Sequence, residues 1–235
     1  MQLKVNSNIQ KVINNLNRVQ SKQIPFATAM ALTKTAQGLM NEQKRELRRS
    51  FDRPVAYTLK SLAYQPADKR DVPIKSRIFY REFAGKGTPA YKYLTPNIKG
   101  ERRRQKRHER LLSGKIGRKI YTAPAAGAPV NAAGNLTGGY YTKVLSQLQA
   151  FGETGFRANA RRKGSQGFYI AFKGGRAVGV RKREGAQSRK ILNFTDAAPN
   201  YRMRYDLYGS SDKYVSKKLV GNFRKALRFA LKTAR

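Results

Sequence analysis

The sequence contains no cysteine. That excludes disulfides, thiolate metal sites and a cysteine nucleophile, and it agrees with assembly in a reducing cytoplasm. Histidine is almost absent as well. His108 is the only one, and it sits inside a cationic run where a metal ion would be repelled. An exposed histidine on a solvated basic helix is the expectation there, with no metal and no cofactor.

Acids are scarce: 13 Asp and Glu face 50 Lys and Arg, for a net charge of +37. The acids are scattered singly, so no pair of carboxylates is placed for acid–base work. Asp68 and Asp71 fall in the turn-like "PADKRDVP", and Asp206 in "RYDLYG" is expected to pair with Arg202 or Arg204. "HExxH" and "GxxxxGK[ST]" are missing, which removes zinc-protease and P-loop sites at the level of motif. "GKGTPA" and "FKGGRAVGV" read as ordinary turns. Long apolar runs are missing too. None approaches the roughly 20 residues that span a bilayer, and no apolar stretch follows the charge in "MQLKVNSNIQ" as a signal peptide requires. Neither a membrane partner nor an enzyme is expected.

What remains is a chain of 235 residues, 40% hydrophobic and 10% aromatic, enough for a real core. No repeat at a fixed period is apparent. Ile9, Val12, Ile13, Leu16 and Val19 follow helical spacing, which predicts a helix from about Ile9 to Gln23. Pro25 opens a second, Ala-rich helix running to Ser50, and "FDRP" ends it. "VPIKSRIFYREFA" alternates as a strand does, and "GKGTPAYKYLTPNIKG" is rich in turn residues. The Ala/Gly/Pro stretch near 122–139 reads as one long loop, and "GGYYTKVLSQLQAF" as a short amphipathic helix. "FYIAFKGG", "AVGVRKREG" and "RKILNF" read as antiparallel strands, with "KGGR" as a hairpin turn. A final helix from about Ser211 to Thr233 carries an apolar stripe and, elsewhere, Lys217, Lys218, Arg224, Lys225, Arg228 and Lys232. The expected fold class is α+β: one domain with helices at both ends packed on a mainly antiparallel sheet, and long loops between.

The positive charge is concentrated in three stretches: Arg102, Arg103, Arg104, Lys106, Arg107 and Arg110; then Arg161, Arg162 and Lys163; then Arg181, Lys182 and Arg183. Continued as a helix, the first would align Arg103, Lys106, Arg107 and Arg110 on one face, with Leu111 and Leu112 anchoring its end. These twelve are the candidate contacts to nucleic acid or to an acidic partner. Phosphates are the densest natural anions, and neutralising them releases counterions. No aromatic alternates with the first run, and no Asn/Gln read-out pattern appears. Base stacking and sequence-specific reading are therefore not favoured.

Four stretches occur together in order: "QIPFATAMALTKTAQGL", "FDRPVAYTLKSL", "YLTPNIKGERRRQKRHERLL" and "GNLTGGYYTKVLSQLQAF". As a group, over roughly residues 20–150, they resemble the minor tail protein Z, or tail-completion, family of tailed phages and prophages. The resemblance implies a structural virion protein of the head–tail junction. It would act as a homo-oligomeric ring that joins the tail tube or tail terminator to the portal and its adaptors, and would help hold the end of the double-stranded DNA. It would be assembled in the host cytoplasm and found in the virion. The runner-up is a free-standing, non-specific duplex DNA-binding or packaging protein. An enzyme acting on nucleic acid is the third reading, and the scattered acids count against it.

Overall fold

The computed structural model describes Asn17 and residues 19–82, 88–151 and 167–233. The expected helix from Ile9 to Gln23 falls largely outside these residues. Its last part, Val19–Gln23, is a single π-helical turn that feeds the next helix. The protein is α+β. The chain, read above as one domain, divides into two compact units, with boundaries between Leu94 and Thr95 and between Arg204 and Tyr205.

The first unit is built on two long helices. Helix α1 (Ile24–Ser50) starts with Pro25 in its first turn and stops at Phe51, which turns extended while its N–H still reaches Leu47 O at 3.2 Å. Helix α6 (Leu207–Lys232) begins four residues before its expected start. Asp206 is the reason: its Oδ1 accepts the N–H of Gly209 at 2.8 Å. The residue expected to pair with Arg202 or Arg204 is thus a helix cap, and it makes neither ion pair among the described residues.

The two helices meet through small side chains. Ala27 and Ala31 of α1 and Ala226 and Ala230 of α6 form a buried cluster flanked by Phe26, Met30, Phe223 and Leu227. Alanine lets two backbones approach closely, which explains the Ala-rich half of α1. Gly38 serves the same contact: a Cβ there would lie 2.1 Å from the hydroxyl of Tyr214. Asn222 Nδ2 donates to Thr35 Oγ1 at 2.9 Å across the pair.

A short helix α2 (Ala56–Lys60) and the antiparallel strands β1 (Leu62–Gln65) and β2 (Arg77–Tyr80) complete this unit. The expected alternation in "RIFY" is present, with Ile78 and Tyr80 half-buried between exposed Arg77 and Phe79. A buried polar knot ties β2, α1 and α6. Tyr205 OH donates to Gln43 Oε1 at 2.7 Å and receives Tyr80 OH at 3.0 Å. Gln43 Nε2 donates to Ser210 and Ser211 Oγ at 2.8 and 3.0 Å. Burial raises the Tyr205 hydroxyl above the ordinary tyrosine range.

The stretch expected to be turn-rich forms helix α3 (Ala90–Lys99), which runs through the first boundary. Pro96 inside it argues for a break, since it lacks an N–H. Lys92, four residues earlier and the residue whose carbonyl loses that partner, is exposed. Burial of Ala90, Leu94 and Asn97 holds the helix together.

The second unit is a four-stranded antiparallel sheet, β3 (Tyr121–Pro124), β4 (Gly167–Lys173), β5 (Arg176–Glu184) and β6 (Gln187–Thr195), in the order β3-β6-β5-β4. The β4–β5 connection is the expected two-residue hairpin, and Gly174 and Gly175 take φ of 54° and 73°. Two consecutive left-handed residues suit a type I′ turn, which matches the strand twist. Helices α4 (Arg107–Ile116) and α5 (Gly138–Gln147) supply the rest of the core. Leu112, Val144, Leu145 and Leu148 pack with Phe168, Val180, Ile191 and Leu192. The expected long loop opens as strand β3. Its far part is organised by Asn131, whose Oδ1 accepts the N–H groups of Ala133 and Asn135, both at 3.0 Å.

Gln43→Leu leaves the buried Tyr205 hydroxyl without its acceptor. The variant should lose about 1–3 kcal/mol of unfolding free energy in urea titrations. Adding Tyr205→Phe should recover part of that loss, because the orphaned group then disappears.

Candidate nucleic-acid interface

The first basic stretch is not one helix. Arg102 is in an isolated antiparallel bridge with Asn200, and α4 begins only at Arg107, after the extended Lys106. The expected single face of Arg103, Lys106, Arg107 and Arg110 therefore does not form. Leu112 lies mid-helix in the core instead of anchoring a helix end.

The cause is Glu109, whose side chain is fully buried. Its carboxylate accepts Arg103 Nη1 and Nη2 at 2.7 and 2.6 Å, a bidentate pair. It also accepts the N–H of Lys106 at 2.7 Å, which caps α4, and the N–H of Thr122 at 2.9 Å, which fixes β3. Burial alone would raise this carboxyl. The Arg103 guanidinium and the two backbone N–H groups outweigh it and hold the group below the ordinary carboxylate range. Arg103 also lies over the ring of Tyr121, 5.3 Å from its centroid. One carboxylate thus binds the cationic run, the helix start and the sheet edge together.

His108, expected to be exposed, is buried. Its ring stacks on Tyr141 at 3.9 Å between centroids, and its Nε2 is 2.8 Å from Thr122 Oγ1. Burial pushes its pKa down to about 4, against the pull of Glu109 and with the help of Lys106 and Arg103. It is a neutral core residue at pH 7.

With Arg103 turned inward, Arg102, Arg104, Lys106, Arg107 and Arg110 remain exposed, and none forms an ion pair among the described residues. The described local acids are engaged with other cations. Every described acid between Thr95 and Arg204 has a cationic partner. Glu101 meets Lys99, Glu109 meets Arg103, Glu184 meets Lys182 and Arg189, and Asp196 meets Arg118 and Arg176. Arg107 and Arg110 also share the first turn of α4, where the helix dipole adds positive potential. A strip of this kind suits an anion that arrives from outside.

The third stretch is split by the pleat. Lys182 faces the side of Phe168 and is taken up by Glu184. Arg181 and Arg183 face the other side. Arg181 lies in register with Tyr169 and Lys190, its Nε and Nη2 donating to Ser188 Oγ and O at 2.9 and 2.8 Å. Arg183 covers the Tyr169 ring, 5.2 Å from its centroid. Tyr169, Ser188 and Lys190 join this face only through strand register, so no local sequence signal marks them. Arg161, Arg162 and Lys163 lie outside the described residues. No group of three potential ligands is placed to hold a metal among the described residues, and no described helix is long and apolar enough to cross a membrane. Compared with family models, curated proteins and solved structures, the chain matches none of them.

Glu109→Gln keeps the shape but leaves Arg103 buried without its counter-charge. It should cost about 3–5 kcal/mol by urea unfolding. His108 and Glu109 both have depressed folded pKa values, so each contributes stability that is present above its unfolded pKa. Stability should therefore fall as pH drops from about 6.5 through about 4, first by protonation of His108. His108→Leu should flatten the upper part of that decline.

Proposed function

We propose that this chain is a structural protein of the tailed-phage head–tail junction that holds double-stranded DNA by its phosphate backbone. The placement at the junction rests on the four ordered stretches that resemble tail-completion proteins. The DNA contact rests on one observation: the described acids of the second unit are engaged internally, while Arg102, Arg104, Lys106, Arg107 and Arg110 stay exposed with no ion pair among the described residues. Backbone contacts carry no sequence information, which suits a protein that must hold any DNA end. Several copies around a DNA passage would form a positive collar. Their mutual repulsion would be offset by the DNA and by acidic surfaces of portal, adaptor or tail partners. No catalytic step is assigned to the chain.

Electron cryomicroscopy of purified particles, focused on the neck, tests this directly. The expected result is a symmetric ring of this chain at the junction with the Arg102–Arg110 strip toward the DNA. Absence from the particle, with the isolated protein still binding duplex, would favour the free-standing DNA-binding or packaging reading instead.

A further inference from the structure

The terminal helix α6 carries seven cations: Lys213, Lys217, Lys218, Arg224, Lys225, Arg228 and Lys232. All are exposed, and none forms an ion pair among the described residues. At 3.6 residues per turn they fall within an arc of about 140°, and at 1.5 Å per residue they extend over about 28 Å. The single acid of the helix, Asp212, lies outside that arc. Tyr214 falls within it by position, but its hydroxyl lies against Gly38 of α1.

Gly221 sits near the centre of the same arc. Glycine is the least favourable helix-interior residue short of proline. The fold does not require it: a Cβ at Gly221 would meet nothing within 4 Å, in contrast to Gly38. An open notch in the middle of a cationic face lets the surface of a partner come close to the helix backbone.

The apolar stripe of α6 is already occupied. Phe223, Ala226, Leu227 and Ala230 pack against α1, and the exposed Tyr208, Val220, Phe229 and Leu231 are scattered around the helix instead of forming one apolar face to sink into a lipid surface. Tyr214, the aromatic within the arc, has its hydroxyl against Gly38, so the arc offers no free ring to stack bases of a single strand. Asn222, the one amide nearby, is turned to Thr35, so no base-reading group is presented. What fits is a long, regular, uniform line of anions.

We propose that α6 is a second docking face for duplex DNA, gripping the phosphate backbone with its seven cations while Gly221 allows close approach. This rests on the DNA-contacting part of the function above, and adds a surface on the other unit.

The test uses the full chain and a 30-base-pair duplex of mixed sequence, with affinity followed by fluorescence anisotropy against salt. The variant K217Q/R224Q/K225Q/R228Q should lower the slope of log affinity on log salt by about 3–4, near 0.9 per lost contact. A control with the same change in net charge, K69Q/K75Q/R77Q/K92Q, should lower it by less than about 1 on the same scale. Gly221→Leu changes no charge and meets open space. It should keep the circular dichroism of the wild type and weaken binding about tenfold, the order expected when backbone contacts are lost. Equal slopes for the two quadruple variants, or full affinity in Gly221→Leu, would overturn the α6 face while leaving DNA binding in place. A wild-type chain that ignores the duplex would overturn both proposals. Binding only to vesicles with 30% anionic lipid would give the surface to a membrane.

Discussion

A single buried carboxylate organises the second unit. Glu109 has no exposed surface, yet it stays ionised because a bidentate guanidinium and two backbone N–H groups surround it. Taking such a charge out of water is expensive unless every lone pair is met, so each of its partners is held in place as strictly as the carboxylate itself. Arg103 must stay extended, α4 must begin at Arg107, and β3 must lie where Thr122 donates. His108, next in the chain, is carried into the core by the same arrangement and stacks on Tyr141 of α5.

This constraint also sorts the surface charge. A chain at +37 has few acids to distribute, and in this unit the described ones are bound to particular cations. The neighbouring Arg102, Arg104, Lys106, Arg107 and Arg110 are left exposed with no ion pair among the described residues. The first unit follows a related logic with a neutral hub: Gln43 and Tyr205 satisfy each other in the interior, while the cations of α6 stay outside. In each unit one buried polar hub, Glu109 or Gln43 with Tyr205, ties several elements together, and exposed positive charge is left over for something outside the chain.

Much of the architecture was legible in the sequence. Alternation and the "KGGR" turn gave the hairpins of the sheet, and the apolar stripe gave α6. Pro25 marked the start of α1, and its alanines its close packing. The failures have physical causes. Pro96 and its neighbours suggested turns, but burial of Leu94 and Asn97 overrides one missing hydrogen bond. Asp206 looked like an ion-pair partner because a helix cap and a salt bridge use the same residue type. The run from Arg102 to Arg110 looked uniform because a cationic pattern does not reveal which arginine turns inward. Glu109 was the one anion in that run, and a buried partner for one arginine was the available clue. Six of the seven cations of α6, all but Lys213, were visible in the sequence as the polar remainder of the helix, but Gly221 gained meaning only once its surroundings were seen to be empty.

The central claim is that internal acids consume certain cations and leave Arg102, Arg104, Arg107 and Arg110 for DNA. Arginine modification by phenylglyoxal, read by mass spectrometry with and without a mixed-sequence duplex, addresses it most directly. The four exposed arginines should react freely in the protein alone and be protected when the duplex is bound, while Arg103 stays unreactive throughout. Reactive Arg103, or four arginines modified equally in both states, would contradict the account.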